Sequence, residues 1–304
     1  METEIRKIDT IKALHEIREL GKPKHPLISL VNYADVKHYA HDNHVNWIQN
    51  FYSIAMKKNI QGKLRYGHQQ YDFDEGFMSF LAPKQSLNVI VEEGDHNKAG
   101  WILFIHPDFI WNTTLVKSIK KYDFFDYAIS EALFLSEKEE QILQHIFLNI
   151  QEEIAANIDD YSQNIIVSQV ELLLSYSERF YKRQFITRKK SNHQILEKLE
   201  DLLNSFFQDN YQQENGLPSV HYVAEHLNMS PTYLSGLLKS LTGLSTQQHI
   251  HLKLIDKAKE RLSTTQLSIS EIAYELGFEH VQSFSKFFKN KTNKSPLEFR
   301  ALYN

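Results

Sequence analysis

Apolar positions change their spacing along the 304-residue chain, and each change marks a different kind of structure. Residues 9–20 have helical spacing and are stopped by Gly21-Lys22-Pro23-Lys24-His25-Pro26, so residues 1–30 read as a leader. Between 45 and 106 short aromatic and β-branched runs alternate with turn residues, at 47–56, 63–66, 70–73, 77–81, 87–91 and 101–105. That rhythm predicts the strands of a small barrel or sandwich. In one strand Phe77, Ser79 and Leu81 fall on one face and Met78 and Phe80 on the other.

After His106-Pro107-Asp108 the period turns helical. Ser136 and Glu139 have the spacing of a capping box, and Ile142, Leu143, Ile146, Phe147, Ile150 and Ile154 follow as an apolar stripe. A second helix over 163–181 carries Ile166, Val170, Leu173 and Leu174. Both stripes need a cover, either the strands before them or a second copy of the chain. Residues 179–190 (RFYKRQFITRKK) are basic without a clear apolar period and read as the start of a linker over 179–193. Helical spacing resumes over 194–207, with Ile195, Leu199, Leu202, Leu203 and Phe206 on one face.

The last part of the chain repeats itself. VAEHL (223–227) aligns with IAYEL (272–276) at an offset of 49, and LSGLLKSLTGLS (234–245) aligns with FSKFFKNKTNKS (284–295) at an offset of 50. Each copy has the pattern of helix, tight turn and second helix. Val223, Ala224 and Leu227, and in the second copy Ile272, Ala273 and Leu276, form the inner face of the first helix. Ser230-Pro231 starts the next helix, and a serine cap followed by proline suits that position. Ser268 and Glu271 form a capping box, Gly277 makes the turn, and Gly243 and Asn293 suit the left-handed position after a helix. Leu234, Leu237, Leu238 and Leu241 point inward, as do Phe284, Phe287 and Phe288. Thr232, Ser235, Gly236 and Lys239 point outward, as do Gln282, Ser285, Lys286 and Lys289, with Ser283 near the edge. Such side chains reach base edges and phosphates. Residues 247–262 form one long helix with Ile250, Leu254, Ala258 and Leu262 at intervals of four, which would hold two reading helices about 34 Å apart for successive major grooves.

Charge sharpens this division. The net charge is −4, but residues 217–304 hold ten basic and seven acidic side chains, a net of +3, which leaves −7 on the remainder. The chain has only 10 Gly and 7 Pro, which fits long helices better than an all-β fold. It has no Cys, which excludes disulfides, thiolate metal sites and thiol catalysis. The absence of a signal-peptide core or a membrane-length apolar run predicts a cytoplasmic protein.

Over 217–304 the chain resembles the AraC/XylS family of transcription regulators. The resemblance rests on SISEIAYELGFEHVQSFSKFFKNKTNKSPLEFR (268–300) and, more weakly, SVHYVAEHLNMSPTYLSGLLKSLTG (219–243). It implies base-edge roles for Thr232, Ser235 and Gly236 in the first unit and for Gln282, Ser283 and Lys286 in the second. Phosphate contacts are implied for Lys239 and Lys289 and for the helix starts at Ser245 and Ser295. Two residues depart from the family pattern. Gly236 stands where a larger reader is common, so the first unit is expected to read through backbone, water or DNA shape. Asn293 replaces the common glycine. YDFDEGFMSFLAPKQ (71–85) and GWILFIHPDF (100–109) are similar to the family's cupin-like sensor domains. The implied fold is α+β: a small cupin-like β-barrel with paired helices (1–178), the basic linker, and an all-α domain (194–304) with helix-turn-helix units at 219–243 and 268–293. The implied protein is a sequence-specific DNA-binding transcription regulator, an activator or a repressor. Its partners would be double-stranded promoter DNA, a small-molecule effector such as a sugar, RNA polymerase and a second copy of itself.

Other chemistry finds little support. His38, His41 and His44 lie at three-residue spacing, but no carboxylate completes the HxH…E…H pattern of metal-binding cupins, and His96 and His106 do not supply it. No GxSxG, HExxH, GxGxxG or GxxxxGK[ST] occurs. Asp72, Asp74 and Glu75 read as solvated turn carboxylates. No catalytic residue, metal or cofactor is therefore expected. The aromatic residues Trp47, Phe51, Tyr52, Tyr66, Tyr71, Phe73, Phe77, Phe80 and Trp101 suit a barrel core and are compatible with a sugar or aromatic pocket. Two further readings stay open: a cupin-type metalloenzyme with a regulatory helical tail, and a ligand-independent DNA-binding protein whose barrel is structural.

Overall fold

The aromatic run at 47–56 is broken at Asn50 and Phe51, and this break organises the first half of the molecule. The computed structural model describes residues 4–37, 39, 45–58, 65–66, 69–70, 76–88, 99–128, 131–156, 159, 161–187, 189–207 and 216–302. The chain divides into two units, Met1–Gln184 and Phe185–Asn304. The first contains β1 (Glu4–Ile8), α1 (Ile11–Ile17), β2 (Ile28–Asn32), β3 (Val45–Gln49), β4 (Tyr52–Lys58), β5 (Arg65–Tyr66), β6 (Gln69–Gln70), β7 (Phe77–Leu81), β8 (Ser86–Asn88), β9 (Ala99–Ile105), α2 (Leu115–Ser118), β10 (Leu133–Phe134) and α3 (Glu137–Ala155), and most of α4 (Ser162–Thr187).

Three separate sheets result. The five-stranded sheet has the order β10-β7-β4-β9-β2 with antiparallel neighbours. The three-stranded sheet has the order β1-β3-β8, with β1 parallel and β8 antiparallel to β3. The hairpin β5-β6 stands apart. Among the described residues these sheets are not closed into a barrel, which corrects the expectation of a cupin-like cylinder. The reason lies at the break. Asn50 donates its N–H to the Ile8 carbonyl at 3.0 Å and its side chain to Asp9 at 2.5 Å, while Phe51 is fully buried. The chain therefore leaves one sheet and enters the other within two residues. Val45 and Trp47 of β3 meet Ala55, Ile102 and Phe104 across a shared core, joined by Ile11 and Leu14 of α1. The leader thus contributes two strands and a core helix. Neither strand was legible, since β1 buries only Ile8 and β2 lies directly behind the Pro26 break.

The other face of the five-stranded sheet is also apolar. Phe80 lies with its ring 4.4 Å from Phe124 and 6.2 Å from Tyr181 of α4. On α3 the expected stripe is buried at Leu143, Ile146, Phe147 and Ile150, with Ile142 left exposed. The described residues of the basic stretch 179–193 are helical: α4 continues to Thr187, and α5 begins at Lys189. Its apolar period was hidden because Ser177 and Gln184 occupy buried positions in the stripe, beside Phe180, Tyr181 and Phe185. Gln184 behaves as a neighbouring strand would. Its Oε1 accepts the Phe134 N–H at 2.8 Å, and its Nε2 donates to the Ala132 carbonyl at 3.2 Å. Arg183 pairs with Glu139 at 2.5 Å and donates to the Phe134 carbonyl, so its charge is satisfied inside the unit.

The second unit is entirely helical among its described residues: α5 (Lys189–Phe206), α6 (Val220–His226), α7 (Pro231–Thr242), α8 (Thr246–Thr264), α9 (Ile269–Glu275), α10 (Val281–Thr292) and α11 (Pro296–Arg300). It has two small cores, and α5 and α8 belong to both. Leu199, Leu203 and Ile250 close on Val223, Ala224, Leu234 and Leu238. Phe206, Leu254, Ala258 and Leu262 close on Ile272, Ala273, Phe284 and Phe288. Nineteen residues of α8, about 28 Å at 1.5 Å each, therefore form a common strut between two helix pairs.

Candidate nucleic-acid interface

The repeat is reproduced hydrogen bond by hydrogen bond. After α6, Asn228 adopts φ 54° and donates to the Glu225 carbonyl at 3.0 Å, while Met229 donates to Ala224 at 2.9 Å. After α9, Gly277 adopts φ 87° and donates to Tyr274 at 3.0 Å, while Phe278 donates to Ala273 at 3.0 Å. Both are Schellman turns, in which one left-handed residue lets two N–H groups satisfy the last free carbonyls. Asparagine and glycine are the residue types that tolerate this conformation. The small alanines Ala224 and Ala273 are buried where the second helix of each pair crosses the first.

The second helices end alike too. Gly243 (φ 78°) and Asn293 (φ 60°) are the left-handed caps of α7 and α10. Thr242 and Thr292 bond back to the Leu238 and Phe288 carbonyls at 2.9 and 2.8 Å. Thr242 Oγ1 also lies 2.8 Å from His249 Nε2, and burial lowers the pKa of that imidazole. The next helices open on Ser245 and Ser295. At Ser245 the N–H is taken by the neutral Gln248 amide at 2.8 Å, and at Ser295 by the Glu298 carboxylate at 2.6 Å. The Ser295 N–H holds the Glu298 carboxyl below its ordinary value, with help from the Ser295 hydroxyl. A carboxylate therefore sits where the resemblance places a phosphate at Ser295, while the start of α8 carries no such charge.

On α10 the inner positions Phe284 and Phe288 are fully buried, and Gln282, Ser283, Lys286 and Lys289 are all exposed. Gln282, Ser283 and Lys286 make no side-chain hydrogen bond or ion pair among the described residues. Lys291 and Lys294 add exposed positive charge to the end of this helix and the turn after it. On α7, Leu234, Leu237 and Leu238 are buried, Lys239 is exposed, and Thr232 and Gly236 are half-buried. Ser235 is different, because its hydroxyl lies 3.0 Å from Thr246 Oγ1, inside the domain. Sequence reasoning missed this bond and the packing of Phe185 on Tyr233, at 5.2 Å between rings. The offset of 49 aligns Asn228 with Gly277, the left-handed turn residue of each pair.

His38, His41, His44 and His96, weighed above and set aside as metal ligands, and the carboxylates Asp72, Asp74 and Glu75 lie outside the described residues. Among the described residues no group of three or more His, Asp or Glu could hold a metal ion, and no helix is long and apolar enough to cross a membrane.

Two like helix pairs carried on one strut, with the outer face of α10 turned to solvent, define a helix-turn-helix DNA-binding protein. Residues 223–302 match the family described as a helix-turn-helix domain. The HTH-type transcriptional regulator YfiF of Bacillus subtilis (strain 168) is 25% identical over 306 residues, covering 88% of this chain and 85% of its own. The arabinose operon regulatory protein of Escherichia coli (strain K12) is 39% identical over 79 residues, 26% of this chain and 27% of its own length. The C-terminal domain of the two-component response regulator yesN from Fusobacterium nucleatum is 30% identical, with 34% of this chain and 95% of that one covered, at a TM-score of 0.30. The chain carries an AraC-type helix-turn-helix DNA-binding domain over residues 223–302.

Proposed function

We propose that the protein is an effector-responsive, dimeric activator that recognises promoter DNA through the outer faces of α7 and α10. The observation that carries this reading is α10, where Gln282, Ser283 and Lys286 are exposed and make no side-chain bond among the described residues. Glutamine suits a bidentate contact with adenine, and lysine suits guanine O6 and N7. Lys239, Lys289 and the start of α8 at Ser245 would neutralise or bind phosphate. Ser295 is the weaker candidate, because Glu298 occupies its N–H. The apolar core between the sheets of the first unit would serve effector binding. A relative named for the arabinose operon makes sugars the first class to test. Exposed Ile142, Ile165 and Leu172 on α3 and α4 are the part of the helical stripes offered to a second copy. RNA polymerase would be the partner through which the bound regulator acts, in the cytoplasm. An effector can act only by binding one conformation better than another.

The reading is tested by gel shift of the full chain against genomic fragments at two salt concentrations. A subset of fragments should be retained at the higher salt, and Gln282→Ala and Lys286→Ala should each erase that preference. Equal retention of all fragments by the unmodified protein would overturn the reading. Melting curves with added sugars test the effector: a raised melting temperature with one sugar and not its epimers is the expected result.

A further inference from the structure

The two reading helices are built unequally. At the offset of 50, Thr232 pairs with Gln282, Tyr233 with Ser283 and Gly236 with Lys286. On α10 all three positions are exposed and carry groups that donate or accept hydrogen bonds, two of them on long side chains. On α7 the same positions are short, covered or empty. Thr232 is half-buried, and its hydroxyl sits one bond from Cβ. Tyr233 is 4% exposed and packs edge-on against Phe185, so this part of the helix is covered by the unit itself. Gly236 has no side chain. Ser235, also on this face, is bonded to Thr246, which is fully buried, and so its hydroxyl is turned inward. Lys239 is the one charged side chain on α7.

Base readout needs donors and acceptors that span the gap from helix backbone to base edge. Glutamine and lysine span it. A threonine hydroxyl reaches only if the helix comes closer, and glycine offers nothing except the closer approach itself. A helix with glycine at the middle of its outer face can seat its backbone against the duplex, where steric fit responds to groove shape more than to base identity.

We propose that α10 alone reads base edges by hydrogen bonds. In this division α7 is a docking helix, seated close to the duplex through Gly236 and tied to phosphate by Lys239, and it adds affinity without direct base choice. The proposal rests on the DNA-reading function above. It makes the target site of one protomer lopsided, with one strictly chosen block and, about one helical turn (~10 base pairs) away, a block chosen only by groove shape.

The test is selection of duplexes from a randomised library by the full chain, followed by affinity measurements on the selected sites and their single-base variants. The unmodified protein should select one information-rich block per protomer. Gln282→Ala and Lys286→Ala should each flatten distinct positions of that block, with discrimination falling roughly 5- to 150-fold at each. Thr232→Ala and Gly236→Leu should weaken binding to every duplex by a common factor and leave the ranking of sites unchanged. Thr232→Ala keeps the test sound if the larger residue at 236 disturbs α7, and circular dichroism confirms that each variant is helical. A second information-rich block that Thr232→Ala flattens would overturn the division of labour while leaving DNA reading intact. Failure of the unmodified protein to select any sequence would overturn both.

Discussion

Glu271 and Glu298 each occupy the third position of a helix and reach back to the serine that opens it. Glu271 accepts the Ser268 N–H at 2.7 Å, and Glu298 accepts the Ser295 N–H at 2.6 Å. In each case that backbone N–H, and after it the serine hydroxyl, stabilises the charged carboxylate and holds the pKa below its ordinary 4.5. Because the folded carboxyls are the stronger acids, the unfolded chain binds protons first as the pH falls. Their stabilisation is complete above about 4.5 and is lost as the pH drops through the lower folded values. The melting temperature should therefore fall between pH 5.5 and pH 3. The double variant Glu271→Gln, Glu298→Gln keeps a neutral acceptor for each cap and should show a shallower fall. Parallel curves for variant and parent would mean that these caps contribute nothing that titrates.

At the scale of elements, the close crossing of helices depends on alanine. Ala224 is 1% exposed, and Ala258 and Ala273 are fully buried, each between larger apolar neighbours. A leucine at any of them adds three carbons to a filled space, and overpacking of that kind costs about 1–3 kcal/mol. Ala273→Leu should also push α9 and α10 apart and so misplace the reading face, whereas Ala301→Leu, at an exposed position, should be nearly silent. Urea unfolding reads the stability change, and DNA affinity reads the displacement. A reading face that keeps full affinity in Ala273→Leu would show that the helix pair tolerates a wider crossing. The strut α8 adds a constraint of its own. It supplies Ile250 to one core and Leu254, Ala258 and Leu262 to the other, so damage to either helix pair is felt by the helix that supports both.

Across the whole molecule, charge is distributed against its average. A net of −4 hides +3 on residues 217–304, and even that excess is modest. Arg261 is neutralised by Glu275 at 2.6 Å and Lys257 by Glu260 at 2.9 Å, so the usable positive charge is concentrated on a few lysines. Affinity for DNA should accordingly fall with salt along a shallow slope, set by few phosphate contacts. Lys239→Ala and Lys289→Ala should each reduce that slope by about one, and Lys12→Ala in the first unit should leave it alone. Equilibrium binding at four or more salt concentrations measures the slope. A slope unchanged in Lys289→Ala would move the phosphate contact to another residue.

Local periodicity carried most of the second unit, because each helix there is specified by neighbours within a few residues. The repeat at 49 and 50, the serine caps, the left-handed Gly243 and Asn293, and the inward leucines and phenylalanines were all legible in the chain. The same locality explains why the family could be recognised from 217–304. What depended on contacts far apart in sequence was not legible. The run at 47–56 is one apolar pattern, and only the bonds from Asn50 to Ile8 and Asp9 split it between two sheets. The helical character of 182–187 stayed hidden because Gln184 is buried for its bonds to Ala132 and Phe134, some fifty residues away. On the reading face, composition alone counted Ser235 with the outward polar residues, and only the fold turned its hydroxyl to Thr246 and covered Tyr233 with Phe185. The sequence by itself determined which helices form and what kind of surface they present. The tertiary structure decided which of those polar groups are left free, because a hydrogen bond or ring contact between distant residues removes a side chain from solvent without leaving any trace in local spacing.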